Sequence, residues 1–214
     1  MPKISKTSKM KITGKKVGSW SLPAGPSCPG SKNSDGSIAE ICQGCYAKKG
    51  MYRFPVVKDA RAYNREDYHK DDWVDRMVKQ VSKFDYFRWF DSGDIETPEL
   101  ASKIAVVITR TPNVNHWVPT RSDKVHEIAK RGLIKFRSSV GFANAAIRLS
   151  ADNIGLSKPE RPGVNSYVIN VSDIPEANKR GILVCPATTP GTTQKSCDTC
   201  TACYSDVPVA YVLH

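Results

Sequence analysis

The apolar positions of this chain change rhythm several times. Val56 to His69 carries a charged helical pattern, and Asp71 to Lys83 repeats it, with Trp73, Met77 and Val81 at helical spacing. Phe84–Phe90 is aromatic, predicts a strand, and runs into Asp91-Ser92-Gly93-Asp94. Thr97-Pro98-Glu99 predicts a helix start, with a capping hydroxyl, a proline at the first helical position and then an acid; that helix is expected to end near Arg110. Asn115–Thr120 predicts a short strand. Ser122-Asp123 opens a further helix that Gly132 closes, and Leu133–Val140 and Ser166–Val171 predict strands. Pro175–Arg180 reads as a short helix and Ile182–Cys185 as a last strand. Residues 17–55, rich in Gly, Ser, Pro and Cys, show no lasting period and read as a structured loop region.

Strands alternating with helices over short links predict an α/β fold with a parallel sheet. Four or five units are too few for a closed eight-stranded barrel. The expected architecture is an incomplete (β/α) barrel or an open parallel sheet, with a Cys-rich loop region at each end, 17–55 and 185–205. In such folds chemistry collects at the carboxyl ends of the strands. The segments just after the predicted strands are Asp91-Ser92-Gly93-Asp94, Thr120-Arg121-Ser122-Asp123, Val140-Gly141-Phe142-Ala143-Asn144 and Cys185-Pro186. Each alone is ordinary turn and capping chemistry. Together they define a candidate rim, in which Asp91, Asp94, His116 and Arg121 are candidate acid–base or anion-holding groups. Beside Trp117, a histidine such as His116 is more often packed in the core than catalytic.

The seven cysteines fall into two bunches, Cys28, Cys42 and Cys45, then Cys185, Cys197, Cys200 and Cys203. An odd count argues against complete disulfide pairing, and the layout suits ligation in a reducing cytosol. Cys197-x2-Cys200-x2-Cys203 repeats the step that lets neighbouring thiolates reach one centre. Four-iron clusters use such a run with a remote cysteine that precedes a proline, as Cys185-Pro186 does here. Four thiolates also suit a structural zinc. Three thiolates on a four-iron cube would leave one iron open, the vacancy that Lewis-acid chemistry requires. Two other readings stand for the first bunch: a zinc clasp joining Cys42 and Cys45 to two C-terminal cysteines, and buried inert thiols. Tyr46 either covers a cluster from water or packs in the core.

The net charge is +11, and Lys3, Lys6, Lys9, Lys11, Lys15 and Lys16 leave only +5 for the rest. The division expected is therefore a basic N-terminal arm, 1–16, and a single α/β iron–sulfur domain, 17–214. The arm is either a solvated tail or edge strand, or a phosphate-holding segment that would give a zinc-clasped protein its nucleic-acid partner. No apolar run is long enough to span a membrane, and the basic start lacks the apolar stretch of a secretory signal. No Gly-rich phosphate loop ending in Lys-Ser/Thr and no serine elbow is present, which argues against nucleotide hydrolysis and serine catalysis.

Ser21-Leu22-Pro23-Ala24-Gly25-Pro26-Ser27-Cys28-Pro29-Gly30, Cys42-Gln43-Gly44-Cys45-Tyr46-Ala47, Phe87-Arg88-Trp89-Phe90-Asp91-Ser92-Gly93-Asp94, His116-Trp117-Val118-Pro119-Thr120-Arg121 and the final Cys-rich run resemble the phage family named gene product eighty-eight. That resemblance implies the cytoplasm of an infected bacterium. More distantly, the layout is similar to radical S-adenosylmethionine enzymes. They have an incomplete α/β barrel, three N-terminal cysteines on a 4Fe–4S cluster and a Gly-rich acidic motif after the second strand, and many carry auxiliary clusters on C-terminal cysteines. Their usual Cys-x3-Cys-x2-Cys is Cys-x13-Cys-x2-Cys here. The likeness implies that Ser92, Gly93 and Asp94 would hold the methionyl amine of S-adenosylmethionine, while a small-molecule substrate stays unnamed. The competing chemistry on the same open iron is that of a hydrolase or lyase.

Overall fold

A computed structural model describes residues 1–5, 10–33, 35–122, 144–158, 160, 162–194 and 196–213. Its strands are β1 (Ile4–Ser5), β2 (Val17–Trp20), β3 (Tyr86–Trp89), β4 (Asn115–Thr120), β5 (Ala145–Ile154), β6 (Val164–Ile169), β7 (Leu183–Val184) and β8 (Val209–Val212). They form one sheet in the order β1-β2-β3-β4-β5-β6-β8-β7. Only β1 is antiparallel to its neighbour; β2 through β6 run parallel in chain order, and β8 and β7 continue parallel. The sheet stays open, with β1 and β7 as its edges. Sequential parallel strands are the arrangement of a barrel segment, as expected, and they put consecutive rim loops side by side.

The described α-helices are α1 (Glu40–Gln43), α2 (Pro55–Asp67), α3 (Trp73–Val81), α4 (Pro98–Arg110) and α5 (Ile174–Lys179). The start of α4 is as its sequence dictates: Thr97 is extended, its Oγ1 accepts from Leu100 N at 3.1 Å, and Pro98 opens the helix. Beyond Ser122, the helix expected to open at Ser122-Asp123 and close at Gly132, the strand expected over 133–140 and all but Asn144 of the 140–144 rim group lie outside the described residues.

Side-chain alternation sorts the sheet into two faces. Phe87 and Trp89 of β3, with Trp20 of β2 and Val118 of β4, share a core with Trp73, Met77 and Val81 of α3 and with Leu100, Ile104 and Val107 of α4. Trp20 is its hub, with edge-on contacts to Trp73 at 5.4 Å and Trp89 at 5.9 Å between ring centres. Arg88 and Trp117 project from the opposite face. There the segment between β7 and β8 packs on the sheet, with Tyr204 against Tyr86 and Trp117. Arg148 of β5 is fully buried and anchors that segment. Its guanidinium donates to the carbonyls of Asn165 (2.5 Å), Ser205 (2.6 Å) and Val207 (2.8 Å) and to Ser166 Oγ (2.9 Å).

The N-terminal stretch is in part an edge strand, since Ile4 and Ser5 pair with Trp20 and Ser19. Met10 and Ile12 are buried. No helix of the described residues is long and apolar enough to cross a membrane.

Candidate metal-binding site at the carboxyl rim

The loop leaving β2 carries the first three thiols. Cys28 precedes a single tight turn over 29–31, Cys42 lies in α1, and Cys45 precedes another tight turn over 46–48. The three thiols lie within one another's electrostatic reach and close to Asp94. Two donors point at sulfur: Gly25 N to Cys28 Sγ at 3.4 Å, and Arg121 Nη1 to Cys42 Sγ at 3.1 Å. Burial pushes the Cys28 thiol up to about 11, and the charges of Asp94, Cys45 and Cys42 add to it. Burial likewise raises Cys42, outweighing the Arg121 cation beside it. Such thiols keep their protons until a cation replaces them, and metal binding does that.

The turn after β3 is stitched onto this loop. Phe90 adopts a left-handed conformation (φ 59°), unusual for a bulky residue, and swings the chain over the rim. Ser92 Oγ donates to Leu22 O at 2.7 Å, and Asp94 N donates to Ser27 O at 2.7 Å. Gly93 (φ +77°) lies so close to Leu22 that a Cβ would stand 2.6 Å from Leu22 Cβ. Asp94 accepts from Thr120 Oγ1 (2.7 Å), Arg121 N (2.8 Å) and Ile95 N (2.7 Å). Its burial nonetheless raises the carboxyl to about 6. Gly30 completes the seam, because a Cβ there would stand 2.5 Å from Arg121 O.

Ser92, Gly93, Asp94 and Arg121 therefore gather with Cys28, Cys42 and Cys45. Asp91 lies beside them, tied up by Tyr52 (2.8 Å), Arg61 (3.3 Å) and a bond from its own N–H to Ser21 Oγ (3.0 Å). His116 is placed apart, on the helix side of the sheet and fully buried. Trp89 Nε1 donates to its Nδ1 at 3.2 Å, Thr111 Oγ1 stands 2.9 Å from Nε2, and burial holds the imidazole down at about 3. Two contributors, Asp152 and Arg88, escaped the sequence reading, and a third, Tyr46, was expected either to cover a cluster or to pack in the core. Asp152 of β5 forms an ion pair with Arg121. Tyr46 donates to the Asp91 carbonyl at 2.8 Å. Arg88 donates to Tyr46 Oη at 3.3 Å and stands 3.7 Å from Asp91 Oδ1. The only local sign of Arg88 was a cation between Phe87 and Trp89; Asp152 carried none.

The other four cysteines form a separate set. Cys197 and Cys203 feel Cys185, and Cys197 also feels Cys200. All four line one cavity together with Trp117 and Tyr204. Burial pushes Cys197 up to about 12, with the neighbouring thiols adding to it. Arg88 lies between the two sets: its guanidinium covers the Trp117 ring at 4.4 Å, and its charge reaches Cys197 and Cys203. Among the described residues, no three side chains of His, Cys, Asp or Glu are drawn together as a single metal ion would require.

The family model described as gene product 88 matches residues 2–206. No curated protein and no solved structure matches the chain.

Proposed function

We propose that this chain, which belongs to the gene product 88 family, is an iron–sulfur enzyme whose 4Fe–4S cluster is held by Cys28, Cys42 and Cys45, with one iron open to S-adenosylmethionine. The observation that carries this reading is the grouping of three thiols at the carboxyl rim with Asp94 and Arg121, while the remaining four gather elsewhere. Three thiolates on four irons leave one coordination position for an amine and a carboxylate. The strand order adds support: the cysteine loop follows the first parallel strand and the Ser92-Gly93-Asp94 turn follows the second, as in radical S-adenosylmethionine enzymes.

The chain's own residues do the positioning. Gly25 and Arg121 donate to ligand sulfurs, which stabilises their negative charge. Arg121 is itself oriented by Asp152. Tyr46 and Tyr52 hold the Asp91 turn against the rim. Held there by Cys28, Cys42 and Cys45, a 4Fe–4S cluster reduced by an external low-potential one-electron donor would supply the electron for reductive cleavage of a carbon–sulfur bond of S-adenosylmethionine.

The test is metal and sulfide content of protein purified without oxygen, followed by electron paramagnetic resonance of the reduced protein with and without S-adenosylmethionine. The expected result is brown protein whose spectrum changes with S-adenosylmethionine, a response that Cys45→Ser abolishes. A spectrum that responds to cyanide or a carbonyl compound but not to S-adenosylmethionine would select the Lewis-acid hydrolase or lyase. Stoichiometric zinc in colourless protein would refute the iron reading and turn attention to nucleic acid and the lysines of residues 1–16.

A further inference from the structure

Trp117 and Tyr204 each bring an N–H or O–H donor to the lining of the second cysteine cavity. Trp117 is buried and Tyr204 half-buried, and their polar atoms, Trp117 Nε1 and Tyr204 Oη, are both shielded from solvent without a hydrogen-bond partner. A buried indole N–H and a buried phenol left unpaired are costly, and both belong to side chains that line the cavity of the four thiols, with the Tyr204 hydroxyl in electrostatic reach of Cys197 and Cys203, so the pair calls for an acceptor. Tyr211, stacked on Trp117, already reaches Cys203 Sγ at 3.1 Å. The charges around the cavity also favour an anion. Arg88 and Arg148 both act on Cys203, and Arg88 acts on Cys197.

We infer that Cys185, Cys197, Cys200 and Cys203 hold a second, fully ligated 4Fe–4S cluster, with Trp117 Nε1–H and Tyr204 O–H donating to its sulfurs. A zinc ion would bring no acceptor of its own. Inorganic sulfides provide acceptors on every face of the cube, beside the thiolates themselves. Four thiolates for four irons leave no open position, so this centre carries electrons and binds no substrate. Its setting suits that task. Arg88, which contacts Trp117 here and Tyr46 beside Cys45, holds one positive charge between the two cysteine sets. Hydrogen bonds to sulfur favour the more negative, reduced state of a cluster, and so raise its potential.

This inference does not rest on the open-iron reading, and one variant separates them. A chain carrying Cys28→Ser, Cys42→Ser and Cys45→Ser together, purified without oxygen, is expected to keep about four irons and four sulfides. It should stay brown, and its reduced resonance spectrum should not change with S-adenosylmethionine or cyanide. If only the open-iron reading fails, the unmodified chain will match the triple variant in iron and spectrum. Loss of all iron, or zinc in its place, overturns the second cluster. Trp117→Phe in the otherwise unmodified chain gives an independent reading. One reduction step should move to a more negative potential while iron content holds. No shift in any step would show that Trp117 donates to no cluster sulfur and overturn the assignment.

Discussion

Acidification from pH 7 to pH 5 should weaken the fold through His116, and the amount follows from its surroundings. Its ring is fully buried and stacked 6.2 Å from Trp89. Trp89 Nε1–H donates to Nδ1, so Nδ1 must be bare and the ring proton sits on Nε2, facing Thr111 Oγ1 at 2.9 Å. Thr111 Oγ1 passes the chain on to Val107 O at 2.7 Å. A second proton on Nδ1 would confront the Trp89 N–H and place a charge in an apolar core. Burial accordingly holds the folded value at about 3 against an ordinary 6.5.

The sign follows from linkage. Between these two values the unfolded chain binds a proton that the folded chain refuses, so stability falls as pH drops through the window. The slope approaches ~1.4 kcal/mol per pH unit, and the loss between pH 7 and pH 5 is about 2 kcal/mol. The assay is urea denaturation at both pH values, for the unmodified chain and for His116→Gln. The variant should be less stable at pH 7, because glutamine cannot reproduce the stacked, two-sided fit, but its loss on acidification should be smaller by that same ~2 kcal/mol. An unchanged pH dependence in His116→Gln, or an imidazole that titrates near its ordinary value in the folded protein, would refute the reasoning. Unchanged metal and sulfide content in the variant would show in addition that His116 supports the fold and not the cysteine site.

Three further outcomes follow from buried polar groups and close backbone contacts. Asp67, 1% exposed, meets Arg76 at 2.7 Å and Lys70 at 3.1 Å, and although burial raises its carboxyl, these partners hold it below the usual carboxylate range. Asp67→Asn should cost ~3 kcal/mol in urea denaturation at pH 7, and should remove stability that the unmodified chain loses only as pH falls through the acidic range. Arg148→Met strands the carbonyls of Asn165, Ser205 and Val207. It should cost ~3 kcal/mol or more, and loosen residues 185–208 first, seen as faster thiol alkylation of Cys197 and Cys203 than of Cys28 in metal-free protein. Gly93→Ala must push Leu22 aside and adopt a left-handed backbone, so metal content at the first cysteine set should drop while circular dichroism keeps its helical signal.

Helices were legible where one face alone had to be apolar: Trp73, Met77 and Val81 are all buried, and α3 sits within the stretch their spacing marks out. β3 and β4 were legible because aromatic and branched residues crowd them. β2 was not. It is four residues long and holds Gly18, whose missing Cβ leaves room for the Phe84 ring, which would stand 2.8 Å away. A glycine and a serine erase the strand signal at the very place where tertiary packing demands a small residue. β5 was lost for the opposite reason, since Arg148 interrupts its apolar run and is satisfied only by carbonyls distant in sequence. Residues at strand ends, such as Asp94 and Arg121, were visible as rim candidates because a parallel sheet dictates where its loops meet. Asp152 and Arg88 reach the same region from strand interiors, where nothing local distinguishes Asp152 from a solvated charge and only the flanking Phe87 and Trp89 mark Arg88.

The long gap between the first two cysteines illustrates how spacing in sequence and spacing in space part company. Thirteen residues separate Cys28 from Cys42, where a Cys-x3-Cys-x2-Cys motif has three. The extra length is spent on an excursion that returns to its origin. Lys32 and Ile38 form an antiparallel bridge, and Asn33 N donates to Ser37 O at 2.9 Å across its tip. Gly36 takes the left-handed conformation there (φ +83°). Below it, Ala39 N donates to Ser31 O at 2.9 Å, closing the base. Ser31 is bonded back to Cys28 O at 3.0 Å, and Cys42 N to Ala39 O at 2.8 Å, so each thiol lies one turn from the closed base. Folding the excursion out of the count leaves Cys28 and Cys42 separated by little more than the Ser31–Ala39 contact. A spacing that departs from the usual motif is thus compatible with three sulfurs around one centre, because the backbone between them is closed on itself.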